Sequence, residues 1–249
     1  MARLVSLTTL QSRVKQRANV EVASNSSLYT AAELIDNINE GLAKLYDLII
    51  AQQDQPYYLS SVNFNTVNAK DTYVIGAGKD INVSNFYKGK GLDVSFGQQI
   101  VIAARPFMWS ERNRFKWYPG WIYSQPVFYQ FIGKVDGSSA NSGTDSIKLI
   151  PMPNGQFNCT LWYYPTLANL VSGGDTFDGI NGFEEHAVLD AAIKLLTKQE
   201  RFDHANLLMA RQQQEEQRIM AMLVTHDAEN PMRVQDVSLN DGWIGRPGY

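Results

Sequence analysis

Apolar and polar positions along this chain repeat with two different periods, and the longest helical one lies near the C-terminus. Over residues 182–224, apolar or small side chains recur at Val188, Ala191, Ala192, Leu195, Phe202, Ala205, Leu208, Met209, Ile219, Met220 and Leu223, the three-to-four spacing of one helical face. No Gly or Pro interrupts the run after Gly182, and Glu184 and Glu185 stand in the first turn, where carboxylates offset the positive end of a helix dipole. The pattern predicts one continuous helix, which at about 1.5 Å per residue would reach roughly 65 Å and protrude from a compact domain. Within it, residues 210–218 read ARQQQEEQR, with no large apolar side chain on any face. Such a segment is either a solvated rod or a surface for another polypeptide, and Gln212, Gln213, Glu215, Glu216 and Arg218 are the candidate intersubunit residues.

The N-terminal quarter is also helical in period. A first helix is expected over about residues 4–18, with Leu7, Leu10 and Val14 on one face. Its bases Arg13, Lys15 and Arg17 read either as cations suited to a helix C-terminus or as a contact for an acidic partner. The second helix has a clear start, because Thr30 and Glu33 form a T-x-x-E capping box. Leu34, Ile38, Leu42, Leu45 and Ile49 then repeat in steps of four and three, the seam of a helix packed on other helices. It should finish before Pro56, since a residue preceding proline is pushed out of the α region.

Between these helical parts the period changes to that of strands. Short runs rich in Val, Ile, Tyr, Phe and Thr are separated by the turn clusters NAKD, GAGK, KGKG and DGSSANSG, which signals antiparallel hairpins. Strands are expected over residues 59–64, 72–75, 81–87, 92–96, 99–103, 127–133, 146–150 and 157–164. After the long helix, Pro231, Gly242, Gly245, Pro247 and Gly248 forbid regular structure, yet Val234, Val237, Leu239, Trp243, Ile244 and Tyr249 are spaced among them. A segment too rich in Gly and Pro to fold alone, but carrying apolar anchors, has the composition of an arm that orders on a partner. The resulting expectation is an α+β fold: a small helical bundle of two N-terminal helices and one long C-terminal helix, an inserted antiparallel β-domain, and an extended C-terminal arm. The boundaries implied are residues 1–56 and 167–225 for the bundle, 57–166 for the β-domain and 226–249 for the arm.

Composition narrows the function classes. With 249 residues, a net charge of −3 and 44% hydrophobic residues, the chain reads as an ordinary soluble protein with no general electrostatic reason to seek nucleic acid. It has no apolar run near about 18 residues and no apolar signal-peptide core at its start, so synthesis and folding in a cytoplasm, with no membrane partner, are expected. The single cysteine, Cys159, excludes an intrachain disulfide framework and a Cys-rich zinc site, and its place in an expected strand makes it a small buried residue.

A catalytic set is not visible in the residues. His186 and Asp190, like Glu200 and His204, are four apart on the long helix, but two ligands do not make a metal site, and a surface ion pair or hydrogen bond explains them. There is no H-E-x-x-H, Walker A, G-x-S-x-G or dinucleotide motif, and hence no metal or cofactor to name. The β-region acids Asp71, Asp80, Asp93, Asp136 and Asp145 adjoin turn clusters, which leaves Glu111 without the second carboxylate a glycosidase needs. The richest stretch is residues 105–131, RPFMWSERNRFKWYPGWIYSQPVFYQF, with ten aromatics and the bases Arg105, Arg112, Arg114 and Lys116. Trp109, Arg112, Arg114, Trp117 and Trp121 are its candidate protein or ligand contacts; core packing, a protein interface, a sugar site and single-stranded nucleic acid all use such residues.

Two blocks of sequence resemble the head-to-tail adaptor (neck or connector) proteins of tailed bacteriophages. One is LQSRVKQRANVEVASNSSLYTAAELIDNINEGLAKLYDLII, residues 10–50, similar to the opening helical pair of many such proteins, including its LYDLI ending. The other is QPVFYQFIG, then IKLIPMPNGQFNCTLWYYPTLANL, then FEEHAVLDAAIKLLTKQERFDHANLLMAR, similar to the adaptor pattern of a strand pair with a P-x-P step, a YY-x-P closure and a long helix. The blocks cover somewhat over half the chain, and the 105–131 stretch is more aromatic than the family pattern. The resemblance implies a structural virion protein at the head-tail junction: a ring, typically of twelve copies, that joins the portal protein to a tail nozzle or other tail protein. DNA would pass through the lumen without specific binding, and the C-terminal arm would reach the portal. The competing expectations are a virion-associated peptidoglycan hydrolase and a glycan- or single-stranded nucleic-acid-binding module using residues 105–131.

Overall fold

The computed structural model describes residues 4–20, 29–51, 57–97, 100–113, 120–122, 125–133, 145–180 and 182–225. In chain order the elements are β1 (Leu4–Ser6), α1 (Leu7–Ala18), α2 (Ala31–Ala51), β2 (Ser60–Asn65), β3 (Thr72–Val74), β4 (Phe86–Ser95) and β5 (Val101–Ala103). Then follow β6 (Arg105–Pro106), β7 (Phe128–Ile132), β8 (Ser146–Ile150), β9 (Asn158–Pro165), β10 (Thr176–Asp178), α3 (Glu184–Lys198) and α4 (Phe202–Thr225). The protein is α+β, with four helices among the described residues and sheets that are antiparallel apart from the short β6–β7 pair. It divides into two compact units, Met1–Gln52 with Ser172–Tyr249, and Gln53–Val171.

In the first unit α3 is the central element, packed against α1, α2 and α4. Val188, Leu189, Ala191, Ala192, Leu195 and Leu196 are all buried, so its apolar residues spread well past one stripe, as they must on a helix covered on several sides. Beside it, α2 buries Leu34, Ile38, Leu42, Leu45 and Ile49, the seam read from the sequence. Its capping box is formed: the Glu33 amide donates to Thr30 Oγ1 at 3.1 Å. The first helix starts later than expected. Leu4–Ser6 pair instead with β10, and Ser6 then caps α1 by accepting from the Thr9 amide at 3.3 Å. Neither short strand was visible in the sequence, because three residues are too few to show a period of two.

The expected single rod over residues 182–224 is two helices. α3 ends at Lys198, and Glu200 takes a left-handed backbone at φ 59°. The Arg201 amide donates to Leu196 O at 3.0 Å and the Glu200 amide to Thr197 O at 3.1 Å, the paired bonds of a Schellman helix end. The chain then reverses, and α4 lies back along α3 with Ala205, Ile219 and Leu223 buried. The apolar spacing runs on past the break because α4 buries its own stripe, chiefly against α3. The stop was hidden because a glutamate holds the position that glycine usually takes.

The second unit holds two four-stranded sheets, ordered β2-β9-β4-β5 and β3-β8-β7-β6. Phe64, Leu92, Val94, Cys159 and Leu161 from the first sheet share one core with Tyr73, Tyr129, Ile147 and Leu149 from the second. Cys159 is fully buried there, and burial pushes its thiol up to about 12. Two expectations fail in this unit. Residues 81–87 do not form a strand over their length; Ile81 makes an isolated bridge to Ile75, and β4 begins at Phe86. Side chains compete with the ladder here, since Asp80 Oδ2 accepts from the Val74 amide at 2.9 Å and Asn82 Oδ1 from the Gly78 amide at 2.9 Å. The KGKG cluster, expected as a turn, lies inside β4, with register shifts on either side of Lys88 and Gly89. A Cβ at Gly89 would fall 2.0 Å from the Phe131 ring, so glycine there makes room for an aromatic over the strand.

Candidate interaction surfaces

The chemistry-bearing side chains of the helical unit converge on α3, and they hold its neighbours in place. Glu184, 1% exposed, accepts from Arg13 of α1 at 2.9 Å, and Glu185 pairs with Arg17 at 2.7 Å. Lys44 of α2 reaches Asp190 at 2.7 Å, Lys194 reaches the same carboxylate at 3.0 Å, and Lys194 also contacts Glu40. Burial works against the charged form of Asp190, but the hydrogen bonds from Lys44 and Lys194 outweigh it and hold the carboxyl below its ordinary range. Lys198 bridges to Glu33 at 2.6 Å. Arg13 and Arg17, read as either helix-end cations or an acidic-partner contact, thus have partners within the chain.

His186 is not on the surface as expected. It is 3% exposed, and its Nε2 lies 3.1 Å from Glu216 Oε1 and 3.4 Å from Gln212 Nε2. Gln212 and Glu216, candidate intersubunit residues, are therefore turned toward α3 of their own chain. The other three lie differently: Gln213 is exposed, and Glu215 pairs with Arg218 at 2.7 Å. The Arg218 guanidinium sits 5.7 Å from the Phe183 ring centroid.

The exposed residues of α4 after its first turn are Asn206, Leu207, Met209, Ala210, Arg211, Gln213, Gln214, Gln217, Arg218, Met220, Ala221 and Met222. Arg211 lies 4.0 Å from Glu185, and the Arg218 guanidinium lies over Phe183. Leu207 is 69% exposed and Met209 43%.

In the β unit the aromatic stretch splits. Trp121 is core: it is 3% exposed, its Nε1 donates to Pro151 O at 2.6 Å, and its ring lies 5.3 Å from Phe157 and 6.4 Å from Phe96. Trp109, in a single 3-10 turn, is half-exposed with the Arg112 guanidinium 5.6 Å from its ring centroid. Arg114 and Trp117 lie outside the described residues, as do Val234, Val237, Leu239, Trp243, Ile244 and Tyr249 of the C-terminal arm.

The carboxylates Asp71 and Asp80 are each bound by a lysine at 2.5 Å, Lys148 and Lys70 respectively. Burial opposes ionisation at both, but these hydrogen bonds win and hold the two carboxyls low. Asp93 accepts from Trp162 Nε1 at 2.7 Å. A shallow cavity of about 650 Å³ at the end of β2, β4 and β9 is lined by Asn65, Ser95, Phe96, Gln156, Phe157 and Asn158. Among the described residues no group of His, Cys, Asp and Glu is placed to hold a metal, and no helix is long and apolar enough to cross a membrane. Compared with protein-family models and with curated proteins, the chain matches none.

Proposed function

We propose that this chain is a structural protein of a tailed-bacteriophage virion, a head-to-tail adaptor whose copies form a ring between the portal and the tail. The observation that carries the reading is the order of the chain. α1 and α2 at one end and α3 and α4 at the other belong to one helical unit, and the β unit is inserted between them. That is the layout the sequence resemblance implies, a helical bundle interrupted by a β-domain. The second support is how the charged side chains are used: Glu184 and Asp190 of α3 and Asp71, Asp80 and Asp93 of the β unit bind lysines, an arginine and an indole of their own chain. A ring of mildly acidic chains also suits DNA that passes without being held, since a basic lumen would bind phosphate.

The arm over residues 226–249 follows directly from α4, and in this reading it docks on the portal. Burying Trp243 and Ile244 would contribute about 3–6 kcal/mol per copy before the cost of ordering is subtracted. Repeated around a ring, even a weak arm becomes a firm attachment, because each copy after the first docks intramolecularly. Removing the chain after Thr225 tests this. Circular dichroism and melting should stay close to those of the full chain, while binding to purified portal is lost or sharply weakened. Undiminished portal binding by the truncated chain would overturn the arm's role.

A further inference from the structure

We infer that the outer face of the β2-β9-β4 strands, together with the shallow cavity at its end, binds a neutral oligosaccharide. The face follows from alternation along the strands. Phe64, Leu92, Val94, Cys159 and Leu161 point into the core, so the residues between them stand on the other side of the sheet. Register sets these in rows across β2, β9 and β4. Asn65, Asn158 and Ser95 form one row, Asn63, Thr160 and Asp93 the next, and Ser61, Trp162 and Gly91 the third. The aromatic of the face is held in place, since Trp162 Nε1 donates to Asp93 Oδ2 at 2.7 Å. Its row neighbours are a serine and a glycine, and a Cβ at Gly91 would meet nothing within 4 Å, so the space beside the indole is open. An aromatic ring edged by hydrogen-bonding groups suits a pyranose, which has an apolar C–H face and a rim of hydroxyls.

The polar groups match the same ligand. The side-chain amides of Asn63, Asn65 and Asn158 can each donate and accept at once, as vicinal hydroxyls do. All three are exposed, and Asn63 is positioned by Thr160 Oγ1, which donates to its Oδ1 at 2.8 Å. The row of Asn65, Asn158 and Ser95 runs into the cavity of about 650 Å³, a volume within the roughly 300–1,000 Å³ of small-molecule sites. Phe96 and Phe157 form its aromatic wall, with ring centroids 5.2 Å apart, and Trp121 backs Phe157 at 5.3 Å. Charge narrows the ligand further. Asp93 is the one ionisable side chain in the three rows, and Lys88 stands one row beyond Trp162, opposite Tyr164, so acid and base balance and neither a polyanion nor a polycation is favoured. The centre of a protein contact would be rich in aromatics, Met and Arg, of which these rows hold Trp162 alone.

The test titrates the full chain with cellotetraose, maltotetraose and chitotetraose, and with tetragalacturonate as the acidic counterpart, by isothermal titration calorimetry. The expected result is saturable binding of at least one neutral sugar and none of tetragalacturonate. Trp162→Ala should abolish that binding. Asn158→Ala, at an exposed position, should weaken it about fivefold to tenfold, the loss of one hydrogen-bonding group, at an unchanged melting temperature. Should Trp162→Ala fail to fold, the double variant Asn63→Ala with Asn158→Ala takes its place. Tetragalacturonate binding as tight as that of the neutral sugars would overturn the ligand class. Neutral-sugar binding that survives these substitutions would overturn the site, and no saturable binding of any of the three neutral sugars would overturn the proposal as a whole.

Discussion

Gly41 and Ala187 show how a single side chain fixes the helical unit. A Cβ at position 41 would lie 2.9 Å from the Ala187 carbonyl oxygen and 3.1 Å from its Cα, so α2 and α3 meet backbone to backbone. Helix propensity alone makes Gly41→Ala stabilising by about 1 kcal/mol. Against a helix backbone that cannot move aside, overpacking typically costs about 1–3 kcal/mol. The expected net effect is therefore a loss on the order of 1 kcal/mol, measured as a lower urea midpoint at unchanged slope; a gain would mean that the two helices sit farther apart. The same closeness explains what the residues could and could not reveal. The apolar seam of α2 was legible because burial there follows period, but a glycine inside that seam carries no period. His186 was misplaced for a related reason: its own helix offers Asp190 as a partner, and only the return of α4 brings Glu216 and Gln212 over it.

The reversal after α3 depends on Glu200. In a left-handed backbone a residue with a Cβ costs roughly 1–2 kcal/mol more than glycine does. Glu200→Gly should therefore raise the melting temperature, whereas in the single continuous helix read from the sequence the same change would lower stability by about 1 kcal/mol. The sign of the shift in thermal denaturation decides between the two. Strands divide in the same manner. β8, Ser146–Ile150, was read to the residue, since turn-forming sequence flanks the run on both sides. By contrast β4 was broken in two by its own Lys-Gly-Lys-Gly, where the glycine that usually signals a turn instead receives Phe131. Propensity cannot see a ring packed from another strand.

For the complete chain, the α+β division and the insertion of strands between helices were legible, because periods of about 3.6 and 2 occupy separate stretches. Which side of α4 would be covered by α3 was not legible, since the sequence grouped Gln212 and Glu216, which face His186, with Gln213, which is exposed. The function proposed makes one demand that no single chain can meet, namely that copies close into a ring on the portal. Electron microscopy of the purified full chain mixed with purified portal tests it directly. The account predicts closed rings stacked coaxially on portal particles, carrying the portal's rotational symmetry. Portal particles without added density, beside a chain that stays single at every mixing ratio, would contradict it.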